Sequence, residues 1–180
     1  MVHKRLFAMY DNYLAANREI HWLDDSRIAA LVRRSLYFWN DRKYGLLAYC
    51  IMPNHVHFLA RPFEIEPATD REALESGETP DAASPLSSMM HSLKSYTAHE
   101  ANKILGRTGQ FWQHESYDHW VRDDDELERI VEYINRNPTK AGLAGRAHEF
   151  CWCSAHDRYL VDGDESGWLI FPAEEREQGT

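Results

Sequence analysis

Two apolar segments of strand length, separated by a two-residue break, constrain the fold of this chain most. Residues 45–52 form a continuous apolar run, and a second strand is predicted from His55 to Arg61. Pro53 and Asn54 lie between them, and both are residue types that interrupt regular structure. Any fold for this chain must therefore accommodate two consecutive strands in its central region.

The remaining pattern is mainly helical. It predicts helices over residues 4–18, 26–40, 86–105 and 124–136, with a short third strand over 116–122. The first of these helices rests on the helical spacing of its apolar residues, which are Leu6, Met9, Tyr10, Tyr13 and Leu14.

Capping residues support two of the predicted helices. Asp25 or Ser26 can cap the helix over 26–40. Asp123, with Glu126 three residues later, resembles a capping box in which Asp is the cap. Asn137-Pro138 is expected to end that last helix, because the residue before a proline disfavours helical backbone angles.

Length and composition indicate a single domain. The chain has 180 residues, 43% of them hydrophobic, which suffices for one packed core. No apolar run approaches the roughly 20 residues that span a bilayer, and the N-terminus does not resemble a signal peptide. We therefore expect a cytoplasmic protein without a membrane contact. The odd number of cysteines, Cys50, Cys151 and Cys153, indicates ordinary thiols in or near the core.

The net charge of −9 argues at first against a nucleic-acid partner, but the acidic residues are concentrated in two segments. Residues 64–81 hold seven acidic side chains against Arg71, and residues 161–180 hold six against Arg176. The rest of the chain is therefore mildly basic. We interpret residues 64–85 as a flexible acidic loop and 161–180 as an acidic tail.

The predicted strand from His55 carries a possible metal site. Side chains alternate along a strand, so His55 and His57 point the same way while Val56 and Phe58 point into a core. Two adjacent imidazoles can bind one divalent ion, although His-x-His is also compatible with two surface histidines. A barrel amidohydrolase is excluded, because that fold needs roughly 250 residues.

The helix over 124–136 offers a nucleophile. Tyr133 lies beside the apolar stripe of that helix, and Asn137, four residues later, shares its face. A tyrosine at such a position is also compatible with packing at the edge of the core. Spacing alone does not decide between these roles.

Several motifs resemble the REP-associated tyrosine transposases of bacteria, a group of single-tyrosine transposases with a His-hydrophobic-His signature. They lie within residues 25–160 and are Pro53-Asn-His-Val-His-Phe58, His91-Ser-Leu-Lys-Ser-Tyr96, Phe111-Trp-Gln-His-Glu-Ser-Tyr117-Asp-His-Trp-Val-Arg122, Val131-Glu-Tyr-Ile-Asn-Arg-Asn-Pro-Thr-Lys-Ala-Gly-Leu143 and Trp152-Cys-Ser154 with Tyr159. The motifs are specific in combination and order.

The resemblance implies an α+β fold, with a ferredoxin-like antiparallel sheet covered by helices. It implies that His55 and His57 hold Mg²⁺ or Mn²⁺, with Asn137 as a third metal ligand. Tyr133 falls on the catalytic tyrosine, which would attack single-stranded DNA near palindromic hairpins and form a 5′-phosphotyrosine link. Lys94, Lys103 and Arg107 are candidates for phosphate contacts.

The chain departs from this family in two ways. Its relatives usually begin with a strand, whereas here a helix is predicted over Arg5-Leu6-Phe7-Ala8, so the first strand is expected to be missing. The acidic loop is also longer than expected. Two alternatives therefore stay open: a hairpin-binding protein that does not cut, and an unrelated metallo-hydrolase that does not need Tyr133. A monomer and a homodimer are both compatible with the sequence.

Overall fold

A four-stranded antiparallel sheet forms the centre of the protein. The computed structural model describes residues 5–9, 21–63, 85–113 and 117–157, excluding the side chains of 5–9, 85–89, 117 and 118. Its strands are β1 (Arg5–Met9), β2 (Tyr44–Ile51), β3 (Val56–Pro62) and β4 (Tyr117–Val121). Its helices are α1 (Ser26–Trp39), α2 (Pro85–Ile104) and α3 (Asp124–Lys140).

The strand order shows a ferredoxin-like sheet. The strands lie in the order β2-β3-β1-β4, and each neighbouring pair is antiparallel. Along the chain the elements follow the β-α-β-β-α-β succession of that fold, with α3 added at the end. The predicted α+β class and ferredoxin-like sheet are therefore confirmed.

The predicted helix over residues 4–18 is wrong where the structure describes it, because Arg5–Met9 is a strand. This strand lies between β3 and β4, with Ala8 opposite Phe58 on one side and Asp118 on the other. The expectation that the first strand is missing is wrong for the same reason. Leu6 to Met9 is a continuous apolar run of strand length, which is compatible with a strand that has a neighbour on each side. The remainder of the predicted helix lies outside the described residues.

The helices cover the two faces of the sheet unequally. The buried face of α1 packs with α2 against one face of the sheet, where Tyr49 and Phe58 lie. Leu127, Val131 and Ile134 of α3 pack against the opposite face. The residues of β2 divide between the two cores, so this strand is buried on both faces, and Leu47 and Ala48 share one core at an irregularity in the pairing with β3.

Both predicted N-caps form, and one departs from the expected pattern. The Asp25 carboxylate accepts from the Arg27 amide, and the Asp123 carboxylate accepts from the Glu126 amide. The Glu126 side chain does not complete a capping box at Asp123. It accepts instead from the amide and guanidinium of Arg122 and contacts His119.

The expected end of α3 at Asn137-Pro138 is wrong, since the helix continues to Lys140. Pro138 is buried, and Ala141 donates its backbone N–H to the Asn137 carbonyl. Proline removes one hydrogen bond, but burial of its ring near the helix end offsets part of that cost. Gly142 then adopts a positive φ of 72° just beyond the helix, as helix-terminating glycines do.

The segment 150–157 covers the outer edge of β2. Cys153 forms an antiparallel bridge with Cys50, and the Tyr49 amide donates to the Ser154 hydroxyl. Cys50 and Cys153 are buried free thiols, as expected, whereas Cys151 is exposed. This segment closes part of an edge that would otherwise present unpaired backbone groups.

Residues 64–84 and the acidic tail lie outside the described part of the chain, and Pro85, the last residue of the predicted loop, begins α2. Within the described ranges, no helix has both the length and the apolar character required to cross a bilayer.

Candidate active site

The paired histidines lie at the start of β3, on the face of the sheet that α3 covers. His57 is fully buried and lies opposite Cys50 of β2, while His55 is partly exposed in the preceding turn. Their Nε2 atoms are 3.0 Å apart and their rings meet edge to face. The predicted common orientation of the two side chains is therefore observed.

Asn54 orients the first histidine of the pair. Its Oδ1 lies 2.7 Å from Nδ1 of His55. An amide oxygen only accepts, so Nδ1 of His55 carries the proton and Nε2 presents its lone pair. A hydrogen bond to the far nitrogen of an imidazole is the usual support of a metal-binding histidine.

The second histidine is held in its neutral form. Burial, followed by the neighbouring His55 ring, lowers the pKa of His57 to about 3. A neutral imidazole is the form that binds a cation. At neutral pH the buried ring therefore needs no deprotonation before it can act as a ligand.

The spacing of the two nitrogens fits a divalent ion. Two ligands at about 2.1 Å in adjacent octahedral positions lie about 3.0 Å apart, whereas tetrahedral positions would separate them by about 3.4 Å. The observed 3.0 Å matches the octahedral case and is also the length of an N–H···N hydrogen bond. Within the described ranges there is no cluster of three or more His, Cys, Asp or Glu side chains suited to a metal.

Tyr133 reaches this site from α3. The apolar stripe of that helix packs into the core, and Tyr133 at its border is partly buried against the same cluster. The centre of its ring lies 5.4 Å from that of His57, at an interplanar angle of 78°. The structure thus brings together the histidine pair and the tyrosine, which are 76 or more residues apart in the chain.

Asn137 lies one helical turn beyond Tyr133. Its Nδ2 donates to the Tyr133 backbone carbonyl at 2.8 Å. Its Oδ1, which is an acceptor, therefore points away from that carbonyl. Its role as a third ligand stays a prediction.

The three basic residues predicted to contact phosphates all have partners within the protein. The Lys94 ammonium donates to the Gln113 carbonyl at 3.0 Å, and Lys103 pairs with Glu100 at 2.7 Å. Arg107 lies 4.1 Å over the Trp22 ring and donates to Asn102. These contacts give each side chain a structural role, and the phosphate contacts stay predictions.

Two residues near the site were not assigned a role from sequence. One is Asn54, which holds His55. The other is Lys140, whose Nζ lies 5.4 Å from the centre of the Tyr133 ring. Sequence patterns indicated no role for Lys140, because the helix was expected to end at Asn137-Pro138, before this residue.

Comparison with known proteins supports the fold and the resemblance. No family model matches the chain. A Haemophilus influenzae protein named as a REP-associated tyrosine transposase is 26% identical over 114 residues, which are 63% of this chain and 60% of that protein. The chain therefore matches less than two thirds of this relative's length. A solved structure of a REP-associated tyrosine transposase bound to a REP hairpin superposes with a TM-score of 0.59 at 16% identity, covering 94% of this chain and 86% of that one. This likeness shows that the two chains share a fold.

Proposed function

We propose that this protein is a metal-dependent endonuclease and strand transferase that acts on single-stranded DNA near palindromic hairpins. The observation that carries the proposal is the convergence of His55, His57 and Tyr133 on one face of the sheet. The chain is similar in sequence to a protein named as a REP-associated tyrosine transposase. A structure of the same fold contains a REP hairpin.

The proposed reaction assigns a distinct task to each side chain. The Tyr133 hydroxyl attacks a DNA phosphorus, the bond to the 3′ oxygen breaks, and a 5′-phosphotyrosine link and a free 3′-hydroxyl result. His55 and His57 hold Mg²⁺ or Mn²⁺, which when bound polarises and orients the scissile phosphate. Asn54 keeps the lone pair of His55 directed at the ion, and Asn137 supplies a further oxygen donor.

Electrostatics support this assignment. The Lys140 ammonium lies beside the Tyr133 ring, where a positive charge favours a phosphodiester and a developing phenolate. Because the phosphotyrosine link conserves the energy of the broken bond, rejoining needs no nucleotide cofactor.

The decisive experiment is the detection of a covalent adduct. Purified protein is incubated with labelled hairpin oligonucleotides from the sequence flanking its gene, with Mn²⁺ or with EDTA, and run on a denaturing gel. We expect an adduct that requires metal and is absent in Tyr133→Phe. Tyr37→Phe is the matched control, since Tyr37 lies on α1 at the opposite face of the sheet, and it should form the adduct normally.

Other outcomes would support the alternatives. Hairpin binding in a native gel without any adduct would favour a binding protein that does not cut. Metal-dependent hydrolysis that survives in Tyr133→Phe would favour an unrelated metallo-hydrolase. The expectation that the first strand is missing had favoured a binding protein that does not cut. Because β1 is present, that support is lost.

A further inference from the structure

A groove between α1 and α2 lies far from the proposed nuclease site. Its cavity has a volume of about 580 Å³, within the range of ligand-binding clefts. Arg34, Phe38 and Trp39 of α1 line one side and Ser92 and Tyr96 of α2 line the other. This is the α1–α2 groove.

Two aromatic rings of the groove are unusually exposed. Phe38 is 52% exposed and Tyr96 is 57% exposed, on opposite sides of the cavity. Large aromatic side chains that face water on both walls of a cleft indicate a ligand that packs between them. Exposed aromatic rings are the platforms on which unpaired nucleobases stack.

Positive charge lies along the α1 side of the groove. The guanidinium of Arg42 lies 4.3 Å over the Phe38 ring, and the ammonium of Lys43 lies 4.2 Å over the Trp39 ring. Arg34 is exposed on the wall of the groove itself. Among the described residues none of these three cations forms an ion pair with a carboxylate, although the chain as a whole carries a net charge of −9. The groove therefore complements a polyanion.

The location excludes a direct role in the proposed cleavage. α1 packs on the face of the sheet opposite to α3, whereas His57 contacts Tyr133 of α3. The groove also lies near Tyr44, whose hydroxyl donates to the Leu36 carbonyl of α1, while His57 lies opposite Cys50 near the other end of β2. The six residue steps from Tyr44 to Cys50 span about 20 Å.

We propose that the α1–α2 groove binds an unpaired segment of DNA, with bases stacked on Phe38 and Tyr96 and phosphates contacted by Arg34, Arg42 and Lys43. Duplex DNA keeps its base faces stacked inside the helix, so these rings select single-stranded DNA. The proposal rests on the proposed function only in taking DNA as the ligand, and it assigns this surface to DNA outside the cleavage point.

Binding is measured in the Tyr133→Phe background with EDTA, so that no cleavage occurs. The probe is a hairpin oligonucleotide with a single-stranded flank carrying 2-aminopurine, followed by fluorescence quenching and anisotropy. Phe38→Ala and Tyr96→Ala should each weaken binding by roughly 5- to 150-fold and remove quenching. Arg34→Gln should weaken binding and reduce its salt dependence.

Arg136→Gln is the matched control, because Arg136 is an exposed helix cation that pairs with Glu132, and it should bind as the parent does. Both aromatic positions are more than half exposed, so alanine leaves the core intact, which circular dichroism will verify.

Unchanged affinity and quenching in both aromatic variants would overturn the proposal. So would a wild-type dimer that these variants dissociate without any change in DNA binding, since a second copy would then occupy the groove. The two proposals fail independently. An adduct at Tyr133 without any groove effect would refute the groove alone, whereas a groove effect without an adduct would refute only the cleavage.

Discussion

Asp157 joins the C-terminal segment to the core, and its removal should be costly. Its carboxylate accepts from the Tyr37 hydroxyl at 2.8 Å and also from the Tyr49 hydroxyl and the Arg33 guanidinium. Asp157 itself is only 9% exposed and Tyr49 is fully buried, so the carboxylate and one donor have little access to water. The three donors lie on α1 and β2, more than 100 residues earlier in the chain.

The expected cost of Asp157→Ala follows from these contacts. Leaving the buried Tyr49 hydroxyl without an acceptor costs about 1–3 kcal/mol, and loss of a hydrogen bond to a charged group costs about 1.5–3 kcal/mol. Arg33 and Tyr37 are each more than one third exposed and recover hydration, so we discount their share. We expect a loss of about 3 kcal/mol in the free energy of unfolding, which lowers Tm by roughly 6–12 °C in a chain of this length.

Urea unfolding and calorimetry would measure this loss, with Glu132→Ala as an exposed ion-pair control that changes stability by less than about 0.5 kcal/mol. In a Tyr49→Phe background the same Asp157→Ala change should cost at least about 1 kcal/mol less, because no buried hydroxyl is then left unsatisfied. A loss below about 1 kcal/mol for Asp157→Ala, or an equal loss in both backgrounds, would refute this reasoning.

Three further results are expected. Asn54→Ala should weaken Mn²⁺ binding by roughly 10- to 100-fold in calorimetric titration, because His55 loses the acceptor that orients it; unchanged affinity would contradict the assigned role. Without metal, in EDTA, the pKa of His57 is about 3 in the folded protein and about 6.5 in the unfolded chain. Between pH 3 and pH 6.5 the unfolded chain therefore binds one more proton than the folded protein. Its contribution to stability is full above pH 6.5 and falls by about 2–3 kcal/mol between pH 7.5 and 4.5, and this component should be absent in His57→Phe. Gly142→Ala should destabilise the protein by about 1 kcal/mol in urea unfolding, because its φ of 72° is strained for alanine. Gly45→Ala is the control at a glycine with an ordinary φ, and it tests whether the effect at Gly142 comes from the backbone conformation.

The local pattern was enough to identify several elements and their caps. Asp25 and Asp123 act as N-caps because a carboxylate beside a free helix amide is favourable in almost any context. Strand alternation likewise placed His55 and His57 on one side, since it depends only on backbone geometry. The resemblance pointed to Tyr133, and the structure places its ring beside His57.

Other features depended on partners distant in the chain. Leu6 to Met9 satisfies both helical and strand spacing, and the backbones of β3 and β4 on either side decide for a strand. Helix α3 passes Pro138 because tertiary burial offsets the lost hydrogen bond. No local sequence pattern predicted the hydrogen bonds of Asp157, since its three donors come from α1 and β2. The sequence alone determined elements whose stabilising contacts lie within a few residues, whereas the tertiary structure decided those whose hydrogen bonds and buried surface come from elsewhere in the chain.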